Sequence, residues 1–151
     1  MDFDVQVRSA GPEEHAVLLG IWRRSVEATH HFLTGEDIDF YESAVSGYLP
    51  AMGDLRVADQ QGHGPLGFIA HKDGEIHMLF VDPAAQGRGI GTRLLDDIGR
   101  RFDVLHVDVN EANDSGRHFY EAKGFERIDR SELDGEGRPF PLLHLRRTGS
   151  H

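Results

Sequence analysis

A glycine-rich turn near the middle of the chain constrains its fold more than any other feature. Gly87, Gly89 and Gly91 follow an apolar run over 78–81, and apolar residues at helical spacing follow the glycines. Glycine lacks a Cβ atom, so its backbone N–H group can approach a ligand closely. The first N–H groups of a helix have no partner within the helix, and the helix dipole favours negative charge there. The pattern therefore predicts a phosphate-binding turn at the start of a helix.

Composition excludes several classes of function. The 151 residues predict one domain over 1–148, followed by a tail over 149–151 that cloning could have added and to which we assign no role. The absence of cysteine excludes disulfides, thiolate catalysis and cysteine-based metal sites.

Charge and hydropathy bear on the partners of the chain. A net charge of −10 argues against binding to nucleic acid, and no apolar run approaches the roughly 20 residues that cross a bilayer. The acidic N-terminus does not resemble a signal peptide. We expect a cytoplasmic monomer or homodimer, without a membrane partner.

Local patterns predict a mixed α/β domain with a central, mostly antiparallel sheet flanked by helices. Strands are predicted at 5–8, 55–58, 67–71, 76–81, 104–109, 125–133 and 142–146, and helices at 12–29, 36–48, from 90 to 98 or 102, and at 113–122. The pair Asp73-Gly74 is typical of a two-residue hairpin turn. Gly124 stands where a glycine commonly ends a helix.

Three kinds of phosphate-binding turn compete for the glycine-rich segment. No Lys-Ser or Lys-Thr pair follows the glycines, which excludes the P-loop of nucleoside triphosphatases. The dinucleotide fingerprint matches at Gly87 and Gly89, with Asp108 near the expected ribose-binding acid. However, Thr92 replaces its third glycine, and too little chain follows for a second nucleotide-binding half. A turn that binds the pyrophosphate of an acyl-CoA fits best.

The segment 86–91, Gln-Gly-Arg-Gly-Ile-Gly, resembles the acyl-CoA loop of the GNAT N-acetyltransferase superfamily, Q/R-x-x-G-x-G/A. The preceding Val-Asp-Pro over 81–83 is the usual lead-in of that loop. The resemblance covers nearly the full chain, and segments 21–33 and 138–145 are similar to small stand-alone bacterial members. It implies the GNAT fold.

A second element of the same family resembles the region that follows. Asn113, then Phe-Tyr at 119–120 and Gly-Phe at 124–125, are similar to its Asn, Phe-Tyr and Gly-Phe. Gly116 stands where that element commonly has alanine, a departure that we expect to loosen the helix and to do little else.

The resemblance implies that acetyl-CoA is the co-substrate. Backbone groups of the loop would bind the pyrophosphate, and backbone groups of the preceding strand would bind the pantetheine arm. The side chains of Arg88 and Arg93 are candidates for pairing with phosphates. The cofactor-binding residues implied in this way are Phe80, Val81, Gln86, Gly87, Arg88, Gly89, Ile90, Gly91, Thr92, Asn113 and Phe119.

Tyr120 matches the tyrosine of the family's Phe-Tyr pair and is the expected general acid. A phenol with a pKa of about 10 stays protonated at neutral pH and can donate its proton to a thiolate as charge develops on sulfur. The alternative is a packed aromatic residue whose hydroxyl is already hydrogen-bonded.

The amine must lose a proton before it attacks, because a lysine-like amine with a pKa of about 10.4 is mostly protonated at pH 7. Glu75 and His77 are the candidate bases, acting directly or through water, since alternation places them on one face of the strand before the glycine turn. Asp108 and Glu111, at the end of the next strand, are lesser candidates.

Residues of the first helices are expected to line the pocket of the amine: Trp22, Ser25, Thr29, His30 and Phe32. Trp22 is also a candidate core residue. His30 and His31 are adjacent and do not face one another on a helix, so we reject a metal site. The expected substrate is a small-molecule primary amine. The alternatives are a protein lysine or N-terminus and, in another class, a non-catalytic acyl-CoA-binding sensor or interaction module.

Overall fold

The computed structural model describes residues 5–149. The acidic N-terminus over 1–4, which bears on the expected absence of a signal peptide, and residues 150–151 of the predicted tail lie outside the described residues.

Seven strands and four α-helices make up the described part of the chain, and the predicted mixed α/β fold is confirmed. The strands are β1 (Val5–Ser9), β2 (Asp54–Gln60), β3 (Gly64–Lys72), β4 (Glu75–Val81), β5 (Val104–Asn110), β6 (Glu126–Ser131) and β7 (Leu142–Thr148). The helices are α1 (His15–Thr29), α2 (Gly35–Tyr48), α3 (Ile90–Gly99) and α4 (Asp114–Ala122). Predicted and observed elements differ only at their ends. The largest differences are a longer β3, which begins three residues before and ends one residue after the prediction, and an α3 that stops before Phe102.

The strands form one sheet in the order β1-β2-β3-β4-β5-β7-β6. Every neighbouring pair is antiparallel except β4 and β5, which are parallel. Their ladder contains only two residue pairs and ends where Ile76 pairs with Val107. The two strands then diverge, so the sheet splays open and the later backbone of β4 has no ladder partner on that side.

A β-bulge at His77 accompanies this divergence. His71 pairs with Ile76, whereas the preceding Ala70 pairs with Met78, so His77 is an extra residue in β4. Ile76 packs in one hydrophobic cluster and Met78 in the other, which shows that the regular alternation of side chains is interrupted here. A bulge bends its strand and increases the local twist, and here the bend carries β4 away from β5.

Two hydrophobic clusters cover opposite faces of the sheet. One lies under α3 and α4 and includes Ile90, Leu94, Leu95, Ile98, Leu105, Tyr120 and Phe125. The other lies under α1 and α2 and includes Leu18, Ile21, Trp22, Val26, Ile38, Val45 and Phe68. The buried residues of α1 recur at helical spacing, so one face of this helix packs on the sheet. In the described part of the chain, none of the helices is long and apolar enough to span a bilayer.

The β3–β4 hairpin turn is the one predicted from Asp73-Gly74. Asp73 has φ 51° and Gly74 has φ 87°, the two positive values that this turn requires. A Cβ atom at Gly74 would also lie 2.7 Å from the carbonyl oxygen of Val104, so the turn packs tightly against the start of β5.

Candidate functional site

The divergence of β4 from β5 opens a cleft of about 690 Å³, which we call the β4–β5 cleft. It is bounded by β4, the end of β5, the start of α3 and one face of α4. Ten of the eleven residues expected to hold the cofactor line it: Phe80, Val81, Gln86, Gly87, Gly89, Ile90, Gly91, Thr92, Asn113 and Phe119. The two family-like elements, which are separate in the sequence, therefore meet at one site.

The glycine turn presents backbone N–H groups to this cleft. Gly87 and Gly89 have φ 80° and 73°, in the left-handed region that favours glycine. Gly89 is the N-cap of α3 and has no side chain with which to cap it. The helical ladder starts with the Arg93 N–H group, which donates to the carbonyl of Gly89 at 3.1 Å. The preceding N–H groups have no acceptor within the helix and suit an anion.

Asp82 fixes the entry into this turn. Its carboxylate accepts a hydrogen bond from the Ala84 N–H group at 3.1 Å and another from the Arg24 guanidinium of α1 at 2.7 Å. Arg24 lowers the pKa of the Asp82 carboxyl below its usual range. The Val-Asp-Pro lead-in thus joins α1 to the glycine turn.

Gly91 is required by packing rather than by its backbone angles. A Cβ atom there would lie 3.3 Å from the ring of Phe119, so the missing side chain lets α3 and α4 approach closely. The Phe119 ring also lies under the ammonium of Lys123, at 5.8 Å.

The side chains of Arg88 and Arg93 extend toward β1 and β2. Arg88 donates to Gln60 Oε1 at 3.4 Å, and Arg93 donates to the Val5 carbonyl at 2.9 Å. Arg88 is the expected cofactor residue that does not line the β4–β5 cleft. Phosphate pairing by these two side chains stays a prediction without support from their positions.

Asn113 caps α4 and also lines the cleft. Its Oδ1 accepts from the Gly116 N–H group at 3.1 Å and from the Ser115 hydroxyl at 3.1 Å. A Cβ atom at Gly116 would lie 2.4 Å from Asn113 Nδ2. The expectation that Gly116 does little beyond loosening the helix was therefore incomplete, because its missing side chain makes room for the Asn113 amide.

Tyr120 lies on the cleft wall with 7% of its surface exposed. Its ring packs edge-on against Phe119 and Phe125, each 5.2 Å away between centroids. Among residues 5–149 its hydroxyl has no hydrogen-bond partner. Burial raises the pKa of the phenol above its usual value, so the group is protonated at neutral pH. The arrangement offers the cleft one proton donor.

The four candidate bases are placed very differently. Glu75 pairs with the start of β5 and does not line the cleft, whereas His77 does. We expected alternation to place Glu75 and His77 on one face of the strand. The bulge at His77 interrupts that alternation, so the expectation was wrong. Glu111 is held by Arg130 through hydrogen bonds of 2.7 and 3.1 Å, which lower the pKa of its carboxyl.

Asp108 lines the cleft and belongs to a hydrogen-bonded chain of three side chains. Its Oδ1 lies 2.6 Å from His144 Nδ1, and His144 Nε2 lies 2.6 Å from the Ser131 hydroxyl. Sequence reasoning missed His144 and Ser131. The sequence does show polar residues on each of the three strands that carry these side chains. Which of them meet depends on the order of the strands in the sheet, and neighbouring residues do not reveal that order.

A second cavity of about 240 Å³ adjoins the cleft on the side of α1 and α2. The two cavities share His30, His77, Met78, Phe80 and Asn110. The other walls of the second cavity are mostly aromatic or acidic: Trp22, Tyr41, Tyr48, Phe140, Asp134 and Glu136.

The residues expected to line the amine pocket are divided between these cavities. Ser25 and Thr29 line the β4–β5 cleft, and His30 lines both cavities. Trp22 lines the second cavity but is only 5% exposed and packs in the core. Phe32 lines neither cavity; its ring contacts His30 at 5.4 Å and Phe140 at 5.8 Å between centroids.

The β6–β7 loop (132–141) covers the second cavity and is joined to α2. Three polar contacts make this joint: Tyr41 donates to Asp134, Tyr48 donates to Glu136, and Arg138 donates to Asp37 at 2.9 Å. The Arg138 guanidinium also lies over the Phe40 ring, 4.3 Å from its centre. Sequence reasoning did not assign any of these contacts. Across residues 5–149, no three side chains of metal-binding type gather into a site.

Comparison with known proteins identifies relatives over nearly the whole chain. Residues 39–141 match the model of the acetyltransferase (GNAT) domain. The chain is 38% identical over 141 residues to the peptidyl-lysine N-acetyltransferase YjaB of Salmonella typhimurium, covering 93% of this chain and 97% of that protein. It is 36% identical over 146 residues to YjaB of Escherichia coli, covering 97% of this chain and 99% of that protein.

Solved structures agree with these relatives. The solution structure of apo-form YjaB from Escherichia coli superposes with a TM-score of 0.90 at 36% identity, over 97% of this chain and 99% of that one. The PaiA N-acetyltransferase of Thermoplasma acidophilum, in complex with coenzyme A, superposes with a TM-score of 0.74 at 18% identity, over 95% and 98% of the two chains. At 18% identity, the likeness to the PaiA structure shows a shared fold alone.

Proposed function

Because the chain belongs to the GNAT acetyltransferase family, we propose that it acetylates lysine side chains of proteins or peptides, with acetyl-CoA as the donor. It is an N-acetyltransferase of the GNAT type. The small-molecule amine expected from the sequence gives way to the alternative of a protein lysine. The relatives aligned over nearly their full length, which are peptidyl-lysine N-acetyltransferases, favour that alternative.

The meeting of the two cavities supports this function most directly. Five residues are shared between the β4–β5 cleft and the second cavity, so a donor in one can reach a substrate in the other. Pockets for small molecules commonly measure about 300–1,000 Å³. The second cavity, at about 240 Å³, lies below that range and suits one extended side chain.

The chemistry of the second cavity fits a lysine side chain. Its aromatic walls can pack against the aliphatic stem of lysine and attract the ammonium group. Asp134 and Glu136, on the β6–β7 loop, add negative charge next to those walls. A cationic side chain therefore gains both packing and charge complementarity on entry.

The residues of the β4–β5 cleft fit the parts of acetyl-CoA. The N–H groups of the glycine turn and the start of α3 bind the pyrophosphate. The edge of β4 beyond Ile76, which has no ladder partner on the β5 side, hydrogen-bonds the pantetheine arm with its backbone. When bound, acetyl-CoA supplies the acetyl group as a thioester.

Two side chains of the cleft move protons in the proposed reaction. Asp108 takes a proton from the ammonium of lysine, directly or through water, and leaves the neutral amine that attacks the thioester carbonyl. The other residue is Tyr120, which gives its phenolic proton to the departing sulfur and regains one from the nitrogen, directly or through water, as the amide forms. Its unpartnered hydroxyl and raised pKa suit a donor that must remain protonated until charge develops.

Release of free thiol from acetyl-CoA tests the proposal, and the protein adds no thiol background because it has no cysteine. The substrates are an N-terminally blocked peptide with one lysine, the same peptide with arginine in its place, a peptide with a free N-terminus and no lysine, and a panel of small amines. We expect release with the lysine peptide and mass-spectrometric acetylation of that lysine. Turnover with small amines alone would overturn the lysine proposal. Coenzyme A binding without any turnover would favour the sensor alternative.

A further inference from the structure

We propose that His30 holds the attacking amine, with a neutral imidazole whose Nε2 accepts a hydrogen bond from it where the two cavities meet. The proposal rests on the proposed function, because it requires that the protein acetylates an amine. It assigns a positioning role to one residue, and that role can be tested with any amine that the protein acetylates.

The hydrogen bonds of Thr29 fix which nitrogen of His30 carries the proton. The Thr29 hydroxyl has one hydrogen, and it lies 2.8 Å from the Ser25 carbonyl, which can only accept. The same hydroxyl lies 2.7 Å from His30 Nδ1 and must therefore accept there. His30 consequently carries its proton on Nδ1, and Nε2 of the neutral ring has a free lone pair.

This lone pair is accessible from the cavities. His30 lines both the β4–β5 cleft and the second cavity, and its Nδ1 edge is occupied by Thr29. Within residues 5–149, Nε2 has no hydrogen-bond partner. It is also not fully buried, since Arg117 Nε is the fully buried side-chain atom without a partner in that range. The Nε2 edge is therefore the edge of the ring left for a ligand where the two cavities meet.

The charge state of the ring suits an amine substrate. Burial, with a smaller contribution from His31, lowers the pKa of His30 to about 4, so the ring is neutral at physiological pH. A neutral ring does not repel an ammonium group and accepts its N–H hydrogen bond. His30 therefore orients the amine, and Asp108 of the β4–β5 cleft is the proposed base.

Neighbouring rings hold the imidazole in place. The Phe32 ring contacts it at 5.4 Å, and Phe32 in turn contacts Phe140 of the β6–β7 loop at 5.8 Å, between centroids. The loop that covers the second cavity is thus linked through two aromatic rings to the residue that would hold the amine.

A matched pair of substitutions tests the role of Nε2. His30→Asn keeps a donor near Thr29 but removes the acceptor, whereas the longer amide of His30→Gln can place an oxygen near the position of Nε2. We expect His30→Asn to raise the KM for the amine substrate about tenfold, the effect of one lost hydrogen bond, and His30→Gln to stay within about threefold of the parent. The Kd for coenzyme A should not change in either variant.

Equal kinetics of the two variants would overturn the proposal, as would a loss of coenzyme A binding that follows the loss of activity. A second measurement does not depend on the folding of a variant. Nitrogen-15 imidazole spectra of the parent protein at pH 7 should show His30 protonated at Nδ1 only, and a proton on Nε2 would overturn the assignment. If peptides are not substrates, the proposed function fails, but the same comparison remains possible with the small amine that is.

Discussion

Asp108 and His144 lie on neighbouring strands of the sheet, and their side chains are joined by a hydrogen bond of 2.6 Å. A carboxylate can only accept, so His144 donates from Nδ1, and its Nε2 lies 2.6 Å from the Ser131 hydroxyl. This chain of contacts uses Oδ1 of Asp108. It orients the carboxylate and leaves Oδ2 as the oxygen that a proton of the substrate can reach.

Asp108→Asn should lower kcat by about 100-fold, because the amide retains the shape of the carboxylate but cannot take a proton. The measurement is the steady-state rate with a saturating lysine peptide. Glu75→Gln is the matched comparison, since Glu75 lies outside the β4–β5 cleft, and it should keep most of the activity. A large loss in Glu75→Gln with little loss in Asp108→Asn would assign the base to Glu75 instead.

Tyr120→Phe should lower kcat by about 100-fold while the Kd for coenzyme A is retained, because only the proton donor is removed. The free energy of unfolding should stay level or rise slightly, since the hydroxyl has no partner among residues 5–149 and its burial opposes folding. Calorimetric binding and urea unfolding separate these effects. Full turnover in this variant would remove the acid role from Tyr120.

Gly89→Ala and Gly47→Ala form a pair that isolates backbone conformation. Among the described residues, a Cβ atom at either site would meet nothing within 4 Å beyond its chain neighbours and, at Gly47, the backbone of its own helix. Gly89 has φ 73°, so alanine there should cost about 1–2 kcal/mol of stability and weaken coenzyme A binding. Gly47 is helical, and alanine there should add about 0.5–1 kcal/mol. Urea unfolding gives both values, and a stabilised Gly89→Ala would contradict the prediction.

The free energy of unfolding should fall as the pH is lowered through the range in which His30 is protonated in the unfolded chain but neutral in the folded protein. Its folded pKa of about 4 lies below the ordinary value of 6.5, so the unfolded chain binds the extra proton first. The contribution is fully present above pH 6.5 and is lost toward pH 4, with about 2 kcal/mol lost by pH 5. Urea unfolding at pH 7.5 and pH 5 should show a smaller difference in stability for His30→Gln than for the parent.

Glu136→Gln should raise the KM for a lysine peptide severalfold, because it removes a negative charge beside the second cavity. The effect should shrink in high salt, which screens charges near the surface. Glu132→Gln removes the same charge from a residue that pairs with Arg130 and does not line either cavity, so it should have little effect. Equal KM changes in both variants would indicate a general charge effect.

The parts of the fold that sequence patterns predicted depend on local chemistry. The positive φ angles of Asp73, Gly74 and Gly89 follow from the turn types that these residues favour, and the Asn113 cap follows from a short-range hydrogen bond. The glycine turn, the start of α3 and the placement of Tyr120 on the cleft could be read for the same reason, helped by the family resemblance.

The parts that could not be predicted depend on contacts between distant segments. The residues next to His77 do not predict a bulge, because the bulge is defined by how β4 pairs with β3. The Asp108–His144 bond requires β5 and β7 to be neighbours, and the neutral state of His30 requires burial by other elements. Periodicity predicts which residues face inward, but it does not predict which polar side chains meet.

The joint between the β6–β7 loop and α2 has a consequence for the evolution of this enzyme. The polar contacts of the loop with α2 use side chains alone, and the glycine turn and the open edge of β4 take no part in them. Substitutions in the loop and on the facing side of α2 can therefore change which acceptor is modified without altering how the donor is held. Substrate choice can diverge between descendants of this chain while the acetyl donor stays the same.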